Sequence, residues 1–226
     1  MPEDDFRVAI IPVTPLQQNC LLLWAEATKQ AVVVDPGGDA PEILRGIEQL
    51  GLSVEALWLT HGHLDHAGGA KALRAALRER QGADVPLLGP DARDRFLLEH
   101  IEEAARRFGL SGLENVLPDR WLAEGEKLAL GPLVFDVLHC PGHTPGHLVF
   151  VETTRRLAIV GDVLFRGSIG RTDFPYGDHA ALIAAIRDKL LPLGDDIAFL
   201  CGHGEGSTFG VERRSNPFLQ DGGDAA

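Results

Sequence analysis

The pattern of apolar and polar positions predicts that the first half of the chain consists of strands and two helices. Apolar residues three and four positions apart indicate a helix over residues 40–50, which Gly51 would end. Similar spacing indicates a second helix over residues 66–80. Short apolar runs bounded by turn residues are typical of buried strands. The predicted strands of this half are residues 6–13, 20–24, 31–34 and 54–59.

The second half repeats this order of strands, helix and strand. Asp178 is suited to cap a helix over residues 179–190, which follows a glycine-rich loop over residues 161–177. Between the halves, the charged residues 91–108 predict one long helix. Two mixed sheets packed face to face, with helices outside, fit this order. The predicted strands of this half are residues 133–138, 147–151, 157–160 and 197–200.

Composition then excludes several classes of protein. The 226 residues are 45% hydrophobic and 24% charged, as in folded globular proteins, and this length suits one domain over residues 1–226. No run approaches the roughly 20 apolar residues of a membrane-spanning helix. The acidic N-terminus has the wrong charge for a signal peptide. The small and polar residues 221–226 are expected to be disordered.

Net charge and cysteine content bear on partners and location. With 21 Lys and Arg against 33 Asp and Glu, the formal net charge is −12, which argues against nonspecific binding of nucleic acid. Three cysteines, an odd number, do not form a disulfide framework and favour a reducing compartment. We therefore expect a cytoplasmic enzyme that binds neither nucleic acid nor a membrane.

The strongest chemical signal is the run HGHLDH at residues 61–66, directly after a predicted buried strand. Its four metal-binding side chains are too close in sequence to share one helix face. On a tight loop, His61 and His63 would point to one side and Asp65 and His66 to another. Two neighbouring metal ions require this arrangement, so the run predicts a metal site with two parts.

Further candidate ligands follow apolar strands in the second half. His143 lies in the run PGHTPGH, Asp162 follows the run IVG, and His203 follows the run LCG. A glycine precedes each of them and would let the backbone approach a bound ion. With the HGHLDH run they make five histidines and two aspartates, a set suited to zinc, iron or manganese. The other histidines, His100, His139, His147 and His179, are interpreted as surface residues or as supports for the ligands.

These motifs resemble those of the metallo-β-lactamase-fold hydrolases, and within them the short, single-domain glyoxalase II-type (hydroxyacylglutathione hydrolase-like) proteins. The resemblance spans residues 12 to about 218. It implies an α/β fold of the αββα type, with two mixed β-sheets, helices on the outer faces and metal ions at one edge between the sheets. The matching stretches are residues 60–69, 141–147, 161–165, 167–174 and 202–204.

The resemblance also implies the cofactors and the role of each candidate ligand. Two divalent metal ions are expected, zinc first, with iron or manganese as alternatives. The first ion would be held by His61, His63 and His143, the second by Asp65, His66 and His203, and Asp162 would bridge the two.

The implied function is hydrolysis of an acyl thioester, with S-lactoylglutathione, which yields lactate and glutathione, as the expected substrate. A metal-bound hydroxide would attack the carbonyl carbon, because two metal ions lower the pKa of a shared water to about 7. Asp65 and Asp162 would orient this nucleophile and accept its proton. A thiolate leaves without a strong acid, which suits a thioester to such a site.

Three more residues are singled out around the expected site. Arg171 lies where the family places a basic residue for the carboxylate of glutathione, and its guanidinium can bind a carboxylate through two hydrogen bonds. A salt bridge from Arg171 to Asp173 is the alternative interpretation. Tyr176 is a second candidate substrate contact, with a position in a solvated loop as the alternative. Asp35, at the end of a predicted strand, is expected to steady the metal-binding loop, with a role in the turn as the alternative.

Two alternatives remain open at this point. Residues 170–174 also resemble the glutathione persulfide dioxygenases of the same superfamily, which use one iron held by the equivalents of His61, His143 and Asp162. The complete second set of ligands favours the hydrolase, and it also argues against a metal-binding scaffold without activity.

Two-domain glyoxalase II enzymes complete the glutathione site with a helical domain. In this chain, residues 91–107 are expected to cover the cleft instead.

Overall fold

The first of two large sheets lies in the N-terminal half of the structure, a computed structural model that describes residues 6–220. The predicted disordered tail, residues 221–226, lies outside these described residues. Neighbouring strands in this sheet follow chain order, with antiparallel pairs first and parallel pairs after the third strand, so the sheet is mixed. Its strands are β1 (Phe6–Val13), β2 (Gln18–Ala25), β3 (Gln30–Val34), β4 (Ser53–Trp58) and β5 (Leu87–Leu88).

The second sheet has six strands and is also mixed. Its strands are β6 (Lys127–Leu130), β7 (Leu133–His139), β8 (Leu148–Glu152), β9 (Leu157–Gly161), β12 (Ala198–Cys201) and β13 (Ser207–Thr208). They lie in the order β13-β12-β9-β8-β7-β6, and β9 and β12 are the parallel pair. A two-stranded ribbon of β10 (Leu164–Phe165) and β11 (Ser168–Ile169) follows β9.

The two sheets pack face to face because alternate residues of their strands are apolar on both sides. All eight residues of β2 are buried: Leu21 faces the second sheet, whereas Leu22 packs against helices on the other side. Between the sheets, the Trp58 ring meets Phe135 edge-on at 5.3 Å and Phe150 at 5.6 Å between centroids. A strand buried on both faces therefore reads as a continuous apolar run rather than an alternating one.

Helices cover the outer face of each sheet, which confirms the predicted αββα architecture. Ile43 and Leu73 are buried against the first sheet, and Leu182 and Phe209 against the second. That residues 1–226 form a single domain stays a prediction. The first sheet carries α1 (Ala40–Leu50), α2 (Leu64–Ala67), α3 (Ala70–Gln81), α4 (Arg95–Leu98) and α5 (Ile101–Arg107), and the second carries α6 (His179–Ala185) and α7 (Phe209–Ser215).

The predicted long helix over residues 91–108 is wrong, because the segment is broken into a 3-10 turn followed by α4 and α5. Asp91 caps the 3-10 turn by accepting a hydrogen bond from the amide of Arg93 at 3.0 Å. Asp94 is fully buried and bonds to other loops of the protein, so its side chain is drawn inwards. The chain leaves helical geometry again at His100, where φ is −124°.

The predicted helix over residues 66–80 is in fact two helices, α2 and α3, separated by two glycines. A Cβ on Gly69 would lie 2.8 Å from the Cα of Gly38, so the chain can approach the first sheet at this point only without a side chain. The predicted caps are confirmed: Gly51 ends α1 with φ of 67°, and Asp178 accepts a hydrogen bond from the amide of Ala181 at the start of α6.

The predicted helix over residues 179–190 is α-helical only as far as α6, and a single π-turn, Ile186–Leu190, continues it. Strands β6, β10, β11 and β13 and helix α7 were not predicted, and β10 and β11 lie within the segment predicted as a glycine-rich loop. Across residues 6–220, no helix combines the length and apolar character needed to cross a bilayer. The cytoplasmic location and the absence of membrane and nucleic-acid partners stay predictions.

Candidate metal centre

The seven predicted ligands converge at the ends of strands from both sheets. His143 follows β7, Asp162 follows β9 and His203 follows β12. The HGHLDH run follows β4, and its predicted tight loop extends only to His63, the N-cap of α2. The last two ligands of the run lie on the single turn of α2, which carries them away from the first two.

One group of nitrogen atoms is formed by His61, His63 and His143. The Nδ1 atom of His63 lies 3.1 Å from Nε2 of His61 and 2.9 Å from Nε2 of His143. Nitrogen ligands at 2.0–2.1 Å from a tetrahedral zinc ion lie about 3.3 Å from one another. The spacing of this group is therefore close to that of three ligands around one ion.

A second group is formed by Asp65, His66 and His203. Oδ2 of Asp65 lies 3.2 Å from Nε2 of His203 and 4.0 Å from Nε2 of His66. Asp162 stands between the groups: its Oδ2 lies 3.6 Å from Nε2 of His143 and 3.7 Å from Nε2 of His203. The structure thus brings all seven predicted ligands together, in the two groups that the family resemblance implies.

The second ring nitrogen of several histidines is held by a protein group. Nδ1 of His61 lies 3.1 Å from Oγ1 of Thr60, and Nδ1 of His143 lies 2.8 Å from the carbonyl oxygen of Arg171. Nε2 of His63 lies 2.9 Å from the hydroxyl of Tyr176. Metal-ligating histidines commonly donate their other N–H in this way, which fixes the ring and its tautomer.

Asp35 supports the centre, as expected from the sequence. One of its carboxylate oxygens, Oδ2, lies 2.9 Å from Nδ1 of His66 and accepts a hydrogen bond from the hydroxyl of Thr60 at 2.6 Å. The other, Oδ1, accepts the backbone N–H of Thr60 at 2.8 Å. The carboxylate therefore orients His66 and the start of the HGHLDH run at once.

His147 is fully buried and supports Asp162. Its Nε2 accepts the backbone N–H of Asp162 at 3.0 Å, and its ring stacks on that of His61, with centroids 4.5 Å apart. Of the two interpretations offered by the sequence, surface residue or support, the second describes His147.

Two buried atoms of the seven proposed ligands lack a hydrogen-bond partner: Nε2 of His66 and Oδ1 of Asp162, which lie 3.4 Å apart. Burying a polar atom without a partner is costly, so such atoms call for a ligand. Imidazole and carboxylate donors in two adjoining groups are the chemistry of a dinuclear site for zinc or a neighbouring transition metal. The residues therefore fit two divalent ions.

Burial and neighbouring charges set the protonation of the centre. Burial, and then the proximity of His143, lowers the pKa of His63 to about 3, which leaves this ring neutral with a free lone pair. Burial alone would raise the pKa of Asp162, but His66 and His143 hold it well below its usual range. For His66, burial would lower the pKa, but the neighbouring carboxylates of Asp162 and Asp35 raise it well above its usual value. The ionised carboxylate of Asp162 and the neutral ring of His63 favour a bound cation, and binding of a cation by His66 would release the proton that this ring holds.

The glycines before the ligands permit close approach, but to protein groups. A Cβ on Gly202 would lie 2.1 Å from Oδ1 of Asp162 and 2.5 Å from Cε1 of His66, so only glycine fits there. Gly142 has a φ of 132°, and a Cβ would lie 2.5 Å from the Cβ of Leu182 in α6. Glycine is therefore required at position 142 for the packing of α6, and the approach of its backbone to a bound ion stays a prediction.

Asp94 is a residue of the centre that the sequence did not single out. Its Oδ2 accepts the N–H of Gly62 at 2.9 Å and the hydroxyl of Thr144 at 2.7 Å, and its Oδ1 accepts the N–H of Gly146 at 2.5 Å. Burial raises the pKa of Asp94 to about 6, and these three hydrogen bonds limit the rise. Asp94 thus ties the HGHLDH loop to the PGHTPGH loop. Its only sequence signal is one charge among many in the segment predicted as a long charged helix.

A cleft of about 810 Å³ opens above the ligands. His63, Asp65, His143, Asp162 and His203 line its floor. As expected, part of the segment over residues 91–107 borders it. The apolar side chains that line the cleft are Leu16, Leu64, Phe96, Leu97, Ile101, Ala104, Phe108, Phe165, Ile169 and Phe174.

The two predicted substrate contacts, Arg171 and Tyr176, both line this cleft. Both oxygens of Asp173 accept hydrogen bonds from the Arg171 guanidinium at 2.7 Å, so the alternative salt bridge is present. The guanidinium also lies 4.6 Å above the centre of the Phe174 ring. Tyr176 is half-buried and bonds to His63 through its hydroxyl, so it lies beside the centre rather than in a solvated loop.

The cysteines take no part in the centre. All three are buried free thiols. Burial raises the pKa of Cys140 to about 12 and that of Cys201 to about 11, so both remain protonated. Within residues 6–220, the groups that could hold a metal contain no cysteine.

Comparison with known proteins agrees with this geometry. The family model of the metallo-beta-lactamase superfamily matches residues 13–203. The hydroxyacylglutathione hydrolase GloC of Haemophilus influenzae is 51% identical over 214 residues, which cover 94% of this chain and 98% of that protein.

Solved structures show the same fold. The crystal structure of the BLEG-1 B3 metallo-beta-lactamase aligns with a TM-score of 0.85 and 34% identity, over 95% of this chain and 100% of that one. TTHA1623 in a di-iron-bound form aligns with a TM-score of 0.81 and 39% identity, over 93% and 100%. ETHE1 from Myxococcus xanthus aligns with a TM-score of 0.71 and 25% identity, over 93% and 83%. The chain therefore belongs to the metallo-beta-lactamase superfamily and is a metallohydrolase similar to its glyoxalase II-type members.

Proposed function

We propose that this metallohydrolase cleaves acyl thioesters and that S-lactoylglutathione, which yields lactate and glutathione, is a substrate. The observation that carries the proposal is the pair of complete ligand groups on either side of Asp162 at the floor of an open cleft. The name of the 51% identical relative, a hydroxyacylglutathione hydrolase, supports the choice of substrate.

Two divalent metal ions are the proposed cofactors. When bound, such a pair lowers the pKa of a shared water to about 7 and polarises the carbonyl of the substrate. The imidazole and carboxylate donors suit zinc, iron and manganese, and the di-iron form of the 39% identical TTHA1623 supports iron as well as zinc. Elemental analysis of the purified protein decides between them. The proposed ligands are His61, His63 and His143 for one ion, Asp65, His66 and His203 for the other, and Asp162 for both.

The carboxylates of Asp65 and Asp162 are the proposed catalytic groups of the chain. Both have a pKa below its usual value although burial would raise it: His203 and His66 lower that of Asp65, and His66 and His143 that of Asp162. As ionised acceptors beside the reacting carbonyl, they orient the attacking water by hydrogen bonding and receive its proton. The departing thiolate needs no strong acid.

Arg171 and Tyr176 are the proposed contacts for the rest of the substrate. The Arg171 side chain is 63% exposed, and exposed ion pairs contribute little, so a substrate carboxylate can replace Asp173 on its guanidinium. Tyr176 points its hydroxyl at Nε2 of His63 and lines the same cleft. Its proposed task is to keep this ring in place while its own ring covers the substrate.

The test is an assay of thioester loss on metal-loaded protein. Wild type should cleave S-lactoylglutathione, and His63→Ala should lose bound metal and at least about 1,000-fold of the rate, because a group essential to the attack is removed. His179→Ala is the matched control, since His179 is exposed at the start of α6. Metal-loaded wild type that leaves the thioester intact would contradict the proposal.

The alternative function, a dioxygenase with one iron, rests on the resemblance of residues 170–174. It needs only the equivalents of His61, His143 and Asp162, whereas the second group of ligands is also complete in this structure. Oxygen uptake with glutathione persulfide separates the two functions. The hydrolase consumes no oxygen, and uptake coupled to loss of the persulfide would favour the dioxygenase.

A further inference from the structure

One wall of the cleft beside the first ligand group is made of aromatic rings. The rings of Phe174 and Tyr176 are stacked, with centroids 5.2 Å apart and an angle of 12°. The ring of Phe96 meets Tyr176 edge-on, also at 5.2 Å. The centroid of Phe174 lies 5.0 Å from that of His63. We call Phe96, Phe174 and Tyr176 the aromatic wall; it begins at a proposed metal ligand and leads outwards along the cleft.

Phe96 of this wall and two further apolar side chains of the cleft are exposed to solvent. Phe96 is 40% exposed, Phe108 66% and Leu16 39%, and all three line the cleft. A group of exposed apolar side chains around a functional centre marks a surface that a ligand covers. These residues therefore indicate an apolar part of the substrate.

Cations of the cleft lie at its mouth. The side chain of Arg107 is 75% exposed and pairs with Glu103, and that of Arg171 is 63% exposed and pairs with Asp173. Both arginines line the cleft, but each is solvated and already matched by a carboxylate. Charged ends of a substrate thus find partners at the mouth.

One ring of the aromatic wall is already engaged by protein groups. The Arg171 guanidinium lies 4.6 Å above the ring of Phe174, and Tyr176 stacks on the same ring. The wall therefore offers aromatic carbon to a substrate chiefly through Phe96 and Tyr176.

The chemistry of a thioester assigns its two arms to these two regions. The substituent of the acyl group lies close to the carbonyl carbon. The charged ends of glutathione lie several bonds beyond the sulfur. Because the carbonyl must reach the ligand groups, the acyl substituent lies near the aromatic wall and the charged ends extend towards the mouth. A lactoyl group, with only a methyl substituent, would leave most of the wall uncovered.

Building on the proposed thioester hydrolysis, we propose that this site selects thioesters whose acyl group carries an aromatic substituent, which packs against Phe96 and Tyr176. The preferred substrates are then 2-hydroxyacyl thioesters with an aryl side chain rather than lactoyl thioesters. Stacked and edge-on contacts between rings add specificity to the burial of apolar surface.

The test compares S-mandeloylglutathione with S-lactoylglutathione, which differ only in a phenyl group in place of the methyl group. On metal-loaded protein, kcat/KM should be at least about tenfold higher for the mandeloyl thioester, the discrimination expected from filling an apolar pocket. Phe96→Ala should lower the ratio of the two values about tenfold. Val134→Ala removes an equally exposed apolar side chain that lies on β7 outside the cleft, and should leave the ratio unchanged.

A binding measurement tests the proposal without requiring turnover of a thioester. Mandelate and lactate, the two product acids, also differ only in the phenyl group. Calorimetric titration of the metal-loaded protein should show mandelate binding about tenfold more tightly, with the difference lost in Phe96→Ala.

The outcomes separate this inference from the proposed function. A lactoyl thioester cleaved as well as the mandeloyl thioester, or a ratio unchanged in Phe96→Ala, would overturn the inference and leave the hydrolase standing. If neither thioester is cleaved, the proposed function fails. Equal affinity for mandelate and lactate would then overturn the aromatic site as well, whereas tighter binding of mandelate would uphold it for a different reaction.

Discussion

The carboxylate of Asp94 joins the two loops that carry the first ligand group. It accepts hydrogen bonds from Gly62, in the HGHLDH run, and from Thr144 and Gly146, in the PGHTPGH run. Neither glycine could carry a side chain here, since a Cβ on Gly62 would lie 3.1 Å from the Cβ of Asp94 and one on Gly146 2.8 Å from its Cγ. The loops are thus packed directly against this one carboxyl group.

We predict that Asp94→Asn weakens metal binding. The amide nitrogen would face an N–H donor of Gly62 or Gly146, so one loop would lose its partner and move. Loss of a group that orients the ligands typically costs 10- to 100-fold in metal affinity, and an unpaired buried donor costs about 1–3 kcal/mol of stability. Competition with a chromophoric chelator measures the affinity, and urea unfolding measures the stability.

Asp119→Asn is the control for this prediction. Asp119 accepts the N–H of Leu87 at 2.7 Å and pairs with Arg74, so its substitution also removes bonds to a carboxylate, but away from the ligand loops. It should lower stability and leave metal affinity unchanged. Equal metal affinity in Asp94→Asn and wild type would show that Asp94 only stabilises the fold.

At the residue scale, the convergence of the seven proposed ligands could be predicted and the role of Asp94 could not. The ligands occur in short runs after apolar strands, and strand ends of two packed sheets meet at one edge, so local sequence is enough. Asp94 finds its partners in Gly62 and Gly146 only because the whole 91–98 segment crosses over both loops. The same holds for His147, whose role depends on the approach of Asp162.

At the scale of elements, the segment over residues 91–107 shows why periodicity misled the prediction. Its charges and apolar residues suit a continuous helix, yet Asp94 must face inwards to the loops while Phe96 and Leu97 face the cleft. A straight helix cannot meet both demands together with the packing of Ile101 in the core, so the chain divides into α4 and α5. Tertiary contacts therefore override local propensity here.

Helix α7 was missed because its anchor is a charged residue. Glu212 is fully buried and accepts hydrogen bonds from the N–H of Gly167 at 2.7 Å, the hydroxyl of Ser207 at 2.5 Å and the amide of Asn216 at 2.9 Å. It fixes α7 to the turn between β10 and β11. From the sequence alone, a glutamate in a short polar helix is expected to be exposed.

We predict that Glu212→Ala lowers the free energy of unfolding by about 3 kcal/mol, because it leaves several buried donors without an acceptor. Glu212→Gln keeps one acceptor and should lose less. Val211→Ala, on the exposed side of the same helix, should change stability by no more than about 0.5 kcal/mol. Urea unfolding of the three variants checks this order, and a Glu212→Ala variant as stable as wild type would refute the anchoring role.

At the scale of the whole molecule, the net charge of −12 opposes the approach of an anionic thioester. Salt screens such repulsion, since the Debye length falls from about 30 Å at 0.01 M to about 8 Å at 0.15 M. We predict that kcat/KM for S-lactoylglutathione rises about two- to threefold over this range. The uncharged thioester of N-acetylcysteamine is the control and should show no rise; a fall with salt for the glutathione thioester would indicate local attraction that outweighs the net charge.

The two-sheet architecture could be predicted because its signals are local in sequence, unlike those of Asp94. Strands buried on two faces, such as β2, give continuous apolar runs, and helices buried on one face, such as α1, give the three-and-four spacing. Both signals are local. The order of strands within each sheet was not predicted, because nothing in a short apolar run states which strand lies beside it.

The central claim is that thioester hydrolysis depends on two metal ions held by the seven ligands. The most direct measurement is the rate of S-lactoylglutathione cleavage by metal-free protein as zinc or iron is added back in known equivalents. We predict no cleavage without metal and a rate that rises to a plateau at two equivalents per chain. Cleavage that persists in the metal-free protein, or a plateau at one equivalent, would contradict the dinuclear account.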